Sequence, residues 1–271
     1  LTLQRITDGR FSLGLGASGP QVVEGLHGIP FTQPLTRMRE TIEVVRLAEA
    51  GEKLALDGQQ VRLPLPNGEG KALRLSLDTD DRPLPIYIGA LSPKMLELTG
   101  ELADGWLGTS FVPEGSATTF ESLRAGATRS NRKLTDLDLC QGAEVAFARD
   151  EKELAAMVDA RRSGLAFSLG GMGSADTNFY NDAYARQGFA EVATESQRLW
   201  LAGDRKAAAQ VIPGEMVLAT TLLGTESQVA DRLRVWADVG ISQIRLYPAG
   251  KNLEERLDTL GRALDLVRGL E

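Results

Sequence analysis

Short apolar runs alternate with helix-length amphipathic segments along the chain, and this alternation limits its fold more than any other feature. A strand, a helix and a second strand of the same sheet connect in parallel, so repetition builds a parallel sheet covered by helices. Strands are expected at about residues 11–16, 85–89, 104–109, 138–147 and 243–247. Behind the first, Leu35, Met38, Ile42 and Val45 recur at helical spacing within 34–50. Ser92 is placed to cap a helix running through Leu102, with Pro93 at its first position. Further helices are expected over 116–128, 150–162, 190–201, 204–211, 227–239 and 253–269, and Gly240 follows one of them as a C′ residue.

Two stretches interrupt the rhythm. Between about 51 and 83, polar and apolar residues alternate around Asp57-Gly58 and Asn67-Gly68, both hairpin turn signals, which gives a β excursion on a loop. From about 164 to 215 the pattern is that of a long insertion, with Gly170-Gly-Met-Gly173 preceding Asn178-Phe-Tyr-Asn181. Those glycines are either the hinges of a lid or a helix-ending turn with core aromatics. The architecture is α/β, either an open doubly wound sheet or a closed (β/α)8 barrel. A closed barrel needs eight strands, so the expectation is a single barrel domain, 1–271, with roughly three N-terminal β/α units not in this sequence. The opening residues 1–8 read as the tail of a helix delivering into a strand.

The balance of 30 Lys+Arg against 37 Asp+Glu, a net charge of −7, argues against nucleic acid and against anionic membranes as partners. No segment approaches the roughly 20 consecutive apolar residues of a membrane helix. The single cysteine, Cys140, lies in an apolar run and is read as a buried structural thiol, in keeping with a reducing, cytoplasmic location. With one Cys and one His, His27, the chain cannot assemble a zinc site of the usual ligands, and no metal is expected. Trp106, Trp200 and Trp236 fall on apolar faces and are read as core. The strand at 11–16 runs straight into Gly14, Gly16 and Gly19, where absent Cβ atoms let backbone approach a flat or phosphorylated ligand.

Three stretches, in this order, resemble the luciferase-like monooxygenase superfamily, particularly its F420 (deazaflavin)-dependent members. Asp8-Gly-Arg-Phe-Ser-Leu-Gly-Leu-Gly16 is similar to the family's fourth barrel strand. Pro85-Ile-Tyr-Ile-Gly-Ala-Leu-Ser-Pro-Lys94 with Ala103-Asp-Gly-Trp106 is similar to its fifth strand, fifth helix and sixth strand. Gly224-Thr-Glu-Ser-Gln-Val-Ala-Asp-Arg-Leu233 followed by Gly240-Ile241 is similar to its C-terminal helix and last strand. The resemblance implies a (β/α)8 barrel of the bacterial luciferase type with a deazaflavin or flavin ring across the strand ends, and a homodimer acting on a small-molecule substrate. Where several relatives carry a carboxylate after the fourth-strand glycines, this chain has Gly19-Pro20, with Glu24 further along.

On that basis Gly16, Ala17 and Ser18 lie next to the ring, and Gly89, Ala90, Leu91 and Ser92 hold the cofactor phosphate, since free N–H groups and the positive end of a helix attract an anion. His27, in a loop beyond the glycine turn, is the candidate proton donor or acceptor, and Glu24 either orients it or serves as the acid. Thr109 and Ser110, at a strand end, and Asn178 and Tyr180, in the insertion, are the candidate substrate contacts. The expected activity is hydride transfer between coenzyme F420 and a small organic molecule. The alternatives are an FMN-dependent monooxygenase and a non-catalytic flavin-binding or structural barrel fragment.

Overall fold

The computed structural model describes residues 1–76 and 83–270 and divides the chain into two compact units. The first comprises 1–107 and 122–137, the second 108–121 and 138–271.

In the first unit, α1 (Thr2–Ile6) leads into β1 (Leu13–Gly16), and two helices follow, α2 (Pro20–His27) and α3 (Pro34–Glu49). A small antiparallel hairpin, β2 (Leu56–Asp57) and β3 (Arg62–Leu63), interrupts the β/α order before β4 (Ile86–Gly89), α4 (Pro93–Leu102) and β5 (Gly105–Gly108) resume it. β1, β4 and β5 are parallel, in the order β1-β4-β5. The Asp57-Gly58 turn joins the hairpin as expected, and its glycine is required: a Cβ there would fall 2.5 Å from the Glu40 carboxyl carbon. That buried carboxylate accepts the backbone N–H groups of Gln59, Gln60 and Val61 at 2.7–2.8 Å, which fastens the hairpin to α3. Burial alone would raise the Glu40 pKa, but these donors and Arg62 together hold it below the usual carboxylate range. Asn67-Gly68 also forms a turn, with Gly68 N–H donating to Leu65 O. The last part of the expected β excursion, 77–82, lies outside the described residues.

Helix α5 (Ala117–Arg129) crosses the boundary between the units along the chain. The second unit carries β6 (Asp138–Phe147), β7 (Leu222–Gly224) and β8 (Gln243–Pro248), with β6 pairing in parallel with both others. Between β6 and β7 lies a helical stretch: α6 (Glu151–Ala166), running on through a π-helical turn to Gly171, then α7 (Phe179–Tyr184), α8 (Ala190–Leu201), α9 (Arg205–Gln210) and α10 (Gly214–Ala219). Helices α11 (Glu226–Asp238) and α12 (Leu253–Arg268) complete the unit. Leu169, Tyr184, Ile212, Met216 and Leu223 are among the buried residues of its core.

All five expected strands are present. Sequence reading missed β7, which at three residues is too short to show a period. It also took the stretch before His27 for a loop, whereas the structure has α2 there. The helix signals are present, Pro20 at the first position and Gly28 in the left-handed region (φ 65°), but α2 is only eight residues long, and none of them is buried. Between 170 and 173 the glycines allow close packing: a Cβ on Gly170 would lie 2.4 Å from Trp200 of α8, and one on Gly173 2.2 Å from Thr177 O, just before α7. Trp106 and Trp236 are core, whereas Trp200 is half-buried, with the Arg205 guanidinium 5.1 Å from its ring centre. Cys140 is a buried free thiol, and burial pushes its pKa up. Among the described residues no helix is long and apolar enough to cross a membrane.

Helix α4 and the second half of α5 touch through glycine. A Cβ on Gly126 would come 1.8 Å from Glu97 O, and one on Gly100 would come 2.0 Å from Leu123 O. Gly126→Ala therefore must move backbone, and urea unfolding should show a loss of about 1–3 kcal/mol or more. Gly261, in α12, meets nothing within 4 Å. Gly261→Ala should instead gain about 0.5–1 kcal/mol in the same measurement.

Candidate active site

Parallel pairing in register sets the first part of the site. Leu13 to Gly16 pair with Ile86 to Gly89, so β1 and β4 end together and their glycines lie opposite one another. Past Gly16 the chain turns through Ala17 and Ser18, the latter in the left-handed region at φ 59°, and Gly19 then caps α2. Past Gly89, Ala90 is buried and its carbonyl accepts the indole N–H of Trp106 at 3.0 Å, which fixes the junction. Ser92 caps the ten-residue helix α4, its Oγ accepting Met95 N–H at 3.4 Å with Pro93 at the first position. The first-turn N–H groups of such a helix lack intrahelical acceptors, so this edge carries partial positive charge.

Nothing internal asks for a glycine at position 16. Its φ is not in the left-handed region, and a Cβ there would meet no atom within 4 Å. Beside it opens a cavity of about 200 Å³ whose lining includes Gly16, Ala17, His27, Phe31, Arg37 and Met38. His27 is the last residue of α2 and reaches this cavity. Glu24, one turn earlier, does not line it; its Oε1 accepts Phe31 N–H at 3.0 Å and ties the following loop to the helix. Ser18 and the residues from Gly89 to Ser92 lie at the same strand ends but do not line the cavity.

The second unit holds a separate cavity of about 240 Å³, to which Thr109 and Ser110 both contribute. Ser110 sits at φ 49°, an unusual conformation for a serine, and its carbonyl accepts the side-chain amide N–H of Gln187 at 2.7 Å. Gln187 also donates to Ala183 O and accepts from Val112 N–H, both at 2.8 Å, clamping the strand-end loop to the turn after α7. Tyr184 lines the same cavity and shares a hydrogen bond with the Ser110 side chain; burial pushes its pKa up to about 12. The Arg161 guanidinium pairs there with Glu144, donating from Nε at 3.1 Å.

Asn178 and Tyr180 are not brought to either cavity. Asn178 is buried and fully used: its Nδ2 donates to Ser168 O and Leu169 O, and its Oδ1 accepts the N–H groups of Tyr180 and Asn181. It caps α7 and braces the insertion. Sequence reading missed Gln187, Tyr184 and the Glu144–Arg161 pair. No local pattern marks them: Gln187 sits at a kink with non-helical angles (φ −98°, ψ 18°), and Glu144 and Arg161 come from β6 and α6. Among the described residues no group of three or more His, Cys, Asp or Glu is placed to hold a metal.

The family model described as luciferase-like monooxygenase matches residues 1–243. A protein of Mycobacterium tuberculosis that carries the name of a coenzyme F420-dependent oxidoreductase is 37% identical over 251 residues, which are 90% of this chain and 72% of that protein. The 5,10-methylenetetrahydromethanopterin reductase of Methanolobus tindarius is 30% identical over 265 residues, 97% of this chain and 76% of the reductase. Among solved structures, the coenzyme F420-dependent tetrahydromethanopterin reductase of Methanopyrus kandleri superposes with a TM-score of 0.71 at 23% identity, over 96% of this chain and 75% of that one. That likeness bears out the α/β, barrel-type fold expected from the sequence.

The raised pKa of Tyr184 sets a pH dependence. A phenol of pKa about 12 in the folded protein and 10.0 in the unfolded chain stabilises the fold fully below pH 10. That contribution, about 3 kcal/mol, is lost as pH rises from 10 towards 12. Urea unfolding across this range should show a steeper alkaline loss for the wild type than for Tyr184→Phe.

Proposed function

The chain belongs to the luciferase-like monooxygenase family, and from that premise we propose that it is an oxidoreductase that binds coenzyme F420 and moves a hydride between it and a small organic substrate. One observation carries the reading: the glycine at the end of β1 fills no internal need, faces open space, and pairs in register with the glycine leading into the capped N-terminus of α4. The residues present fit the coenzyme. Gly16 and Ala17 offer bare backbone to a flat ring, and the Gly89–Ser92 junction offers the positive end of a helix to a phosphate. The M. tuberculosis and M. kandleri proteins, both named for F420, support that choice over a flavin.

Bound F420 supplies the hydride chemistry. The chain's own residues do the rest. Leu15, Val23, Phe31 and Met38 wall off water beside Gly16. The imidazole of His27 exchanges a proton with the reacting substrate heteroatom through a ring nitrogen, so that charge does not build up there as the hydride moves. Glu24 holds the loop that follows His27 and thereby the far wall of the cavity. Thr109 and Ser110 line the separate cavity of the second unit, where they are candidate contacts for a small polar ligand. The protein's acidic balance and single buried thiol suit the cytoplasm, and a homodimer is the assembly the family resemblance suggests.

Ser92→Asp places a carboxylate where the phosphate is held, and like charges a few ångströms apart repel. Titration followed by the absorbance of F420 should show affinity at least tenfold weaker, with the circular dichroism of the wild type. Unchanged affinity would remove the phosphate assignment. His27→Ala should leave coenzyme binding nearly intact and lower kcat by about 100-fold. A wild-type rate would return the proton transfer to another group.

A further inference from the structure

Helix α2 is an unusual wall for a polar site. Not one of its residues is buried, yet it carries Val22 at 47% and Leu26 at 76% exposure, with Ile29 at 43% just beyond. Its half-buried Val23 lines the cavity beside Gly16 together with Leu15, Ile29, Phe31 and Met38. The polar side chains in the lining are those of His27, Thr32, Arg37 and Thr41, and two of them are partly spent. The Thr41 hydroxyl donates to Arg37 O at 2.7 Å, and Arg37 Nη2 donates to Gln60 Oε1 at 3.1 Å. No carboxylate lines the cavity. A polyol entering it would give up hydrogen bonds to water and regain few, whereas an apolar ring would gain from burial at about 25 cal/mol per Å².

We propose that this cavity takes a largely apolar substrate body and turns its reactive polar group towards His27. Substrate selection is then made by α2 and the loop after it, not by the polar cavity of the second unit. The inference deepens the coenzyme reading and rests on it for the word substrate, but the binding itself is separable. Gly19 and Gly28 bound α2, and the Glu24 bond to Phe31 N–H ties the helix to the loop that follows, so both walls of the cavity are held together.

His27 is the only histidine of the chain and gives one imidazole Cε1–H resonance, a reporter at the cavity wall. Titrating the full chain with cyclohexanone should move that resonance saturably, and glycerol at the same concentrations should not. Val23→Asp should weaken the cyclohexanone midpoint at least tenfold, and the isosteric Val23→Thr, which keeps the fold if the aspartate does not, by about threefold. Val23→Leu should keep it near the wild-type value. No saturable shift with cyclohexanone, an equal shift with glycerol, or an unchanged midpoint in Val23→Thr would each overturn the proposal. F420 absorbance recorded on the same samples separates the two readings. Loss of coenzyme binding alone rejects the coenzyme, and loss of the cyclohexanone response alone rejects the apolar cavity.

Discussion

The register of β1 on β4 is the constraint from which the candidate site follows. Parallel strands that pair from Leu13 opposite Ile86 to Gly16 opposite Gly89 deliver their following loops to one edge. One loop becomes the glycine turn and α2, the other the capped start of α4. A slip of one residue would turn every side chain of β1 to the opposite face and would also separate the two glycines. Leu13 N–H donating to Pro85 O at 2.8 Å starts the pairing of β1 on β4, while the Trp106 indole bond to Ala90 O and Asp104, which accepts Ile86 N–H at 2.8 Å and pairs with Arg46, hold β4 beside β5.

Much of this was legible in the residues. Leu84 to Gly89 is a continuous apolar run closed by glycine, and Ser92-Pro93 is a helix start that needs no tertiary information, so β4 and α4 could be placed closely. The Asp57-Gly58 hairpin was readable as a turn, but the reason for its glycine was not. It lies in the Glu40 carboxylate, eighteen residues earlier in sequence, which no local pattern reveals. Helix α2 was missed although Val22, Val23 and Leu26 stand at helical spacing, because eight residues between two glycines hold too little of the period to set it apart from a loop.

The insertion shows the opposite error, in which residues that look chemical are structural. Asn178 has the side chain of a substrate contact, yet all its hydrogen-bonding capacity is spent inside the protein, capping α7 and bridging to Leu169. Asn181 does the same, donating to Leu169 O and Ala193 O. Gln187, which sequence reading passed over, is the residue that shapes the Thr109–Ser110 loop. Which of two amides braces and which one clamps a strand end depends on contacts between helices far apart in sequence, and composition carries no trace of it.

The coenzyme assignment is the central claim, and it is tested most directly by equilibrium titration of the unmodified chain with F420 and, separately, with FMN, each followed by its own absorbance. The account predicts saturable binding of F420 at one equivalent per chain and binding of FMN at least tenfold weaker. Tighter binding of FMN, or saturable binding of neither, would contradict it.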